Sequence, residues 1–321
     1  MTDAITADLA GRRIRVGLDV GGTKIDAVAV TSDGEILARR RRPTGWGGDA
    51  VVEGILGAIA DLSVEGGFAP DAVGTVGVGI PGLVDAETGR VLHAVNLGVE
   101  SLDLADRAAA VLGVPVRVEN DVKAAALGAA GLRGIDGSMA YLNLGTGVAA
   151  GIVVDGTIWR GSRGTAGEVG HLSVDPNGRL CGCGQRGCIE TFCGGGALAR
   201  AWGRPGTLPV RDILDAAEAG DDKARGLRAD LFHGAAAGVR ALVLSADVER
   251  VIIGGGLTAL GDRLLDGVRA ALRSGAKTSA FMRSLHLEDR IELLPAGSPA
   301  AAFGAAIVGA TTPSKEIVPH G

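Results

Sequence analysis

The chain holds few aromatic residues, five phenylalanines, three tryptophans and one tyrosine among 321, and it has no excess of positive charge, its formal net charge being −5. A nucleic-acid surface usually needs both a basic field and stacking platforms, so no nucleic-acid partner is expected. No apolar segment reaches the length of a membrane span, and the polar start Met1–Asp8 contains no hydrophobic signal core. A cytoplasmic protein without a membrane partner is therefore expected. Cysteine is scarce as well, with four residues, and in a reducing compartment closely spaced thiols favour metal over disulfides. The one basic run, Arg39-Arg40-Arg41-Arg42, reads as the solvated end of a strand stopped by Pro43.

Three of those cysteines are packed together in Cys181-Gly182-Cys183-Gly184-Gln185-Arg186-Gly187-Cys188, with His171 upstream. Three thiolates and an imidazole complete a tetrahedral set for structural zinc. Gly182, Gly184 and Gly187 let the backbone wrap around one ion. Cys193 falls outside the spacing and reads as an ordinary half-buried thiol. Glu168 and Glu190 bracket the cluster, so a zinc knot would set two carboxylates near its histidine, a polar site suited to hydroxyls.

Glycine, at 54 residues, is well above its usual share. It stands at the ends of apolar runs without a fixed period, which implies tight turns and close backbone approaches. Strands are predicted at 14–20, 27–31, 35–39, 73–80 and 114–118, with helices near 49–62 and 104–112. A second series repeats the order in outline. Strands are predicted at 139–144, 151–154, 157–159 and 250–253, with helices near 190–201, 224–244 and 258–273 and a final one at 300–309 before a polar tail expected to be disordered. Two halves with the same opening predict a duplicated α/β domain.

Each half carries a glycine turn after a strand, Asp19-Val20-Gly21-Gly22-Thr23-Lys24 and Gly145-Thr146-Gly147, and such turns offer backbone N–H groups to anions. Across a cleft the two could hold one polyphosphate, with Asp19 holding hydrated magnesium. Neither is a Walker loop, because Thr23 precedes Lys24 where that motif places lysine first. Gly77-Val78-Gly79-Ile80-Pro81-Gly82 spells a dinucleotide fingerprint, but Pro81 and the turn at 85–89 leave no helix opening on it. A third turn, Gly254-Gly255-Gly256, serves either close packing or an adenine or ribose lying on bare backbone. Glu119-Asn120-Asp121 sits between a strand and the helix predicted at 122–132. Either it caps that helix or it presents a side chain to a cleft.

These motifs, in this order over about 14–309, resemble the sugar kinases of the ROK family (repressor, open reading frame, kinase) within the actin-like ATPase superfamily. The resemblance implies two ribonuclease-H-like domains flanking a central cleft that closes on ATP and a sugar, residues 1–118 plus 299–321 and residues 119–298. It makes Asp19–Lys24 and Gly145–Gly147 the phosphate motifs, and Gly254–Gly256 the adenosine motif. Asp121 becomes the base at the accepting hydroxyl. Gly82, Asn96, Asn120, Glu168, His171 and Glu190 fall on the sugar side. ATP, magnesium, structural zinc and a homodimer follow as expectations. Lys123 replaces a common asparagine, and Ala149-Ala150 replace glycines often seen after the second phosphate turn. Thr191–Gly196 departs from the usual serine-glycine-proline wording. Asn96-Leu97-Gly98-Val99-Glu100 lacks the tryptophan often found just after the asparagine. Glucose, phosphorylated to glucose 6-phosphate, is the expected acceptor, and these departures keep an amino sugar, an N-acetylhexosamine or a C7-cyclitol as alternatives. Part of the family is DNA-binding repressors, but the dozen residues before Ile14 are too few for a helix-turn-helix unit. A catalytically silent sugar sensor is the third reading, opposed by the intact Asp121.

Overall fold

The computed structural model describes residues 13–311, and the polar start Met1–Asp8 and the tail after Thr311 lie outside the described residues. The described chain packs as two compact units, one running to Leu132 and resuming at Pro299, the other spanning Arg133–Ser298.

Unit 1 opens with strands β1 (Ile14–Val20), β2 (Lys24–Val30) and β3 (Ile36–Pro43), followed by helix α1 (Gly48–Gly66) and strand β4 (Val73–Ile80). Strands β5 (Leu83–Asp85), β6 (Arg90–Ala94) and β7 (Val99–Asp103), helix α2 (Leu104–Leu112), strand β8 (Val116–Asn120) and helix α3 (Asp121–Arg133) follow. The main sheet has the order β3-β2-β1-β4-β8, antiparallel at its leading meander and parallel at β1-β4-β8. Its core is valine- and isoleucine-rich, with Ile14, Val16, Leu18, Val76, Val78 and Ile80 excluded from water beneath α1.

The terminal helix Ala300–Ala310 lies against β1 and β4 at backbone contact. A Cβ on Gly17 would fall 1.9 Å from the Ala302 carbonyl oxygen, and one on Gly77 1.7 Å from that of Ala305. Gly77 in the apparent dinucleotide fingerprint is therefore a packing glycine. The same helix meets α3 through Gly128 and Gly304.

The four arginines of β3 are all ion-paired with acids of this unit. Arg39 and Arg41 meet Asp26, while Arg40 meets Glu65 and Arg42 meets Asp61. They form a solvated strand end, as expected. The strand runs on to Pro43 instead of ending at 39, with Asp26 of β2 pairing two of its arginines and Asp61 and Glu65 of α1 the other two. The small sheet β5-β6-β7 was not anticipated.

Unit 2 holds strands β9 (Met139–Leu144), β10 (Val148–Val154) and β11 (Thr157–Ile158), then helices α4 (Ile189–Cys193), α5 (Gly195–Trp202), α6 (Pro209–Glu218) and α7 (Asp222–Ala246). Strand β12 (Arg250–Gly254), helices α8 (Asp262–Ala276) and α9 (Ala280–Ser284), and strand β13 (Ile291–Leu293) complete it. Its sheet, β11-β10-β9-β12-β13, repeats the order of unit 1 with the same strand directions. The repeat inferred from the glycine turns is thus present in the sheets themselves. The helix predicted at 190–201 is two helices, broken where Gly194 adopts extended backbone. The one predicted at 258–273 is a short 3-10 turn and α8, divided at Gly261, whose φ of 58° and ψ of −137° suit glycine. The strand predicted at 114–118 runs over 116–120, so Asn120 ends β8 and Asp121 begins α3. Among the described residues no helix is long and apolar enough to cross a membrane.

Candidate active site

In unit 1, carboxylates gather at the C-terminal ends of the parallel strands. Asp19 of β1 is in register with Gly79 of β4, and Gly79 with Glu119 of β8. Gly79 is where β4 packs against the start of α3, since a Cβ built there would lie 3.2 Å from the Ala124 Cβ and 3.5 Å from the Asp121 Cα. Burial first, then the negative charges of Asp121 and Asp26, push the Asp19 carboxyl up to about 7 against the pull of Lys24 and Arg39. Asp26 moves the other way. Burial opposes its charge, but hydrogen bonds from Arg39 and Arg41 at 2.6–2.9 Å outweigh it and hold that carboxyl below the ordinary range.

Asn120 and Asp121 form the junction of β8 and α3. The Asn120 Oδ1 accepts hydrogen bonds from the N–H groups of Val122 and Lys123 at 3.0 and 3.2 Å, while its Nδ2 donates to the Gly82 carbonyl at 3.4 Å. Capping and site-building are therefore one arrangement. Asp121 Oδ1 accepts from the Val122 N–H at 2.9 Å, at the helix end where the dipole favours negative charge. Gly82 itself has φ +104°, and a Cβ there would meet the Leu92 carbonyl oxygen at 2.8 Å, so this sugar-side position admits only glycine.

The first glycine turn is exposed at Gly22, Thr23 and Lys24 and closed by a Gly21 N–H to Lys24 carbonyl bond of 2.9 Å. Thr44, which the sequence reading did not single out, braces it. Its hydroxyl donates to the Gly21 carbonyl at 2.6 Å, and its N–H donates to the Thr23 carbonyl at 3.3 Å. On the other side Gly22 abuts Asn96, whose carbonyl oxygen would lie 3.0 Å from a Cβ on Gly22.

Unit 2 brings together His171, Cys181, Cys183 and Cys188, with all four ligand atoms within 4.8 Å of one another. The Cys183 and Cys188 sulfurs are 3.7 Å apart, and Cys181 Sγ is 3.8 Å from His171 Nδ1. Zinc–sulfur bonds of ~2.3 Å at the tetrahedral angle place sulfurs about 3.8 Å apart, so this donor set is compatible with a zinc site. Backbone and side-chain hydrogen bonds from Gln185 pull the Cys183 thiol down to about 6, whereas burial and the neighbouring thiols push Cys188 up to about 12. Of the three loop glycines, Gly184 and Gly187 have positive φ, and Gly187 is also closed by packing. It has φ +65°, and a Cβ there would lie 1.7 Å from the Asp175 carbonyl oxygen. Cys193 is fully buried, not half-buried, and its Sγ donates to the Ile189 carbonyl outside the cluster.

The cluster positions the other expected residues of unit 2. Exposed Glu168 precedes the 3-10 turn Val169–His171, and Cys188 precedes α4, which carries Glu190. Gly167 and Gly170 press on β10 with no room for side chains, each within 1.9 Å of a β10 carbonyl oxygen had they a Cβ. Glu190 Oε2 accepts from the Val148 N–H at 2.9 Å, directly after the turn Gly145-Thr146-Gly147. The Gly195 and Gly196 N–H groups donate to the carbonyls of Gly145 and Thr146 at 2.8 and 2.9 Å. At the end of β12, Gly255 (φ +86°) would carry a Cβ only 2.6 Å from Asn143 Oδ1, so the third glycine turn sits beside the second. Asn143 gave no sequence signal beyond being polar in a buried strand.

A model described as the ROK family matches residues 15–311. A glucokinase of Halalkalibacterium halodurans is 34% identical over 276 residues, covering 79% of this chain and 83% of that protein. An N-acetylmannosamine kinase of Haemophilus influenzae is 33% identical over 248 residues, covering 75% of this chain and 79% of its own length. The crystal structure of a Streptomyces griseus ROK family glucokinase in complex with glucose and AMPPNP superposes with a TM-score of 0.75 at 31% identity, covering 92% of this chain and 99% of that one.

Proposed function

The chain belongs to the ROK family, and from that premise we propose that it transfers the terminal phosphoryl group of ATP to a hexose hydroxyl, with glucose the best supported acceptor. The observation that carries this reading is the β8–α3 junction. A carboxylate, Asp121, opens a helix packed on Gly79, the residue in register with Asp19, while the neighbouring amide of Asn120 holds Gly82. Phosphoryl transfer passes through a loose transition state, so the protein's work is positioning and charge dispersal. Asp121 orients the acceptor hydroxyl and takes its proton late in the transfer. The exposed N–H groups and Lys24 of the first turn, with the turn at Gly145–Gly147, hold the phosphates, and Gly254–Gly256 takes the adenosine. Asp19 is the residue suited to hydrated magnesium, which when bound supplies charge neutralisation at the phosphates.

Gly82, Asn96, Asn120, Glu168, His171 and Glu190 bind the sugar in this reading. The zinc ligands would be His171, Cys181, Cys183 and Cys188, and the ion supplies structural cross-linking of their loop. Since His171 turns Nδ1 toward the thiols, Nε2 is the nitrogen left for a hydroxyl. A second acceptor class, an N-acetylhexosamine, is supported by the N-acetylmannosamine kinase likeness. A coupled ADP-release assay with magnesium-ATP against glucose, mannose, fructose, glucosamine, N-acetylglucosamine, N-acetylmannosamine and a valiolone-type cyclitol decides among them. Turnover of glucose above the rest is the expected result; no turnover of any would overturn the kinase reading.

A further inference from the structure

We propose that Trp46 is a specificity-determining residue of the acceptor site, its indole forming the wall on which the C–H face of the sugar ring stacks. This rests on the sugar-kinase reading. Trp46 lies in the connection from β3 to α1, in the run Thr44-Gly45-Trp46-Gly47. Gly45 and Gly47 have φ of +84° and +92°, backbone that L side chains rarely adopt. A loop of this shape is held at both ends. Thr44 is bonded to the first phosphate turn, and the Gly47 N–H donates to the Leu97 carbonyl at 2.8 Å.

The indole therefore stands on the 3-10 segment that carries Asn96. It rests on Gly98, where a Cβ would come within 2.5 Å of Trp46 Cε2 and 2.6 Å of Nε1. Yet 71% of its surface stays exposed, although tryptophan is one of the residues that contributes most by burial. Packing on Gly98 alone does not account for that exposure. Exposed Asn96, two residues before the glycine on which the exposed indole rests, offers an amide for hydroxyls on the segment that carries a flat apolar plate, the mixed lining that a pyranose needs. Trp46 supplies an indole to the same segment from a different part of the sequence, and the small residue at 98 makes the room.

Trp46→Ala and Trp46→Phe test this in the full chain. Trp46→Ala should raise the glucose KM about tenfold, with the ATP KM and kcat within about twofold of wild type, and Trp46→Phe should recover most of the loss. Glucose should also perturb the intrinsic fluorescence of the wild type. That response should vanish in Trp46→Phe, which retains Trp159 and Trp202. Thermal melting of both variants separates a folding defect from a binding one. A wild type that phosphorylates glucose while Trp46→Ala keeps its glucose KM within twofold would overturn the proposal alone. Calorimetric glucose binding that depends on Trp46, in a protein that transfers no phosphoryl group, would support the wall and overturn the kinase reading.

Discussion

Glu190 and Val148 are joined by a 2.9 Å hydrogen bond from the backbone N–H of one to the carboxylate of the other. The bond ties the helix that follows the zinc loop to the strand that follows the second phosphate turn. With Gly195 and Gly196 bonded to Gly145 and Thr146, it joins the elements of unit 2 proposed to hold the sugar to those proposed to hold the phosphates. Glu190→Gln keeps an acceptor oxygen for the Val148 N–H but loses the charge, whereas Glu190→Ala loses both and leaves that N–H without its partner. Removing such a partner costs ~1–3 kcal/mol. Steady-state kinetics should therefore show the sugar KM raised in both variants and the ATP KM raised chiefly in Glu190→Ala. Equal ATP KM values in the two would show that the bond does not shape the phosphate turn.

Asp121→Asn is the test of the base. The amide can still accept from the Val122 N–H, so the start of α3 should hold, but it cannot take a proton. Turnover should fall by ~10² or more, with sugar affinity by calorimetry within about tenfold of wild type. Near-normal turnover would remove Asp121 from the role.

Buried, β-branched segments were the legible part of the chain. Strands β1, β4 and β9 begin and end where Ile14–Val20, Val73–Ile80 and Met139–Leu144 predicted, because predominantly apolar runs with only Arg15, Asp19, Thr75 and Asn143 as polar interruptions leave few alternatives. The β5-β6-β7 sheet was hidden. Its strands are short, with Arg90, His93 and Asp103 facing solvent, and the Asp85–Gly89 turn looked like loop. Motif spelling located the glycine turns, the thiol cluster and the Asn120-Asp121 junction. It could not reveal Thr44 under Gly21, or an indole placed on Gly98 by a loop distant in sequence, since those contacts exist only after folding.

The raised pKa of Asp19 gives a stability signature. A carboxyl held near 7 when folded and near 3.8 when unfolded binds more protons in the native state between those values. Stability therefore falls as pH rises from about 4 to about 7, and the full penalty is present above 7. The penalty has a ceiling on the order of 4 kcal/mol. In metal-free buffer Asp19→Asn should thus melt higher than wild type at pH 8 and lose that advantage at pH 4. An advantage that is the same at both pH values would show that the buried charge is not its source.

Removal of zinc should separate the sugar site from the rest of the protein. Structural zinc contributes ~10–16 kcal/mol of apparent binding energy in small peptide modules, and the proposed ligands here lie along the loop from His171 to Cys188, just before α4. The main core clusters of both units contain no residue of that loop, only its successor Ile189, although Cys181 and Cys188 are themselves buried. Cys183→Ser, or strong chelation, should therefore abolish sugar phosphorylation while circular dichroism retains most helical signal. ATP binding should persist in part, because the turn at Gly21–Lys24 belongs to unit 1 and is braced by Thr44. Gly187→Ala offers the same test without touching a ligand, since its Cβ has no room beside the Asp175 carbonyl. Elemental analysis should give about one zinc per wild-type chain and less for both variants. Full activity in a protein free of zinc, or unchanged sugar affinity in Cys183→Ser, would dissociate the thiol cluster from the sugar site.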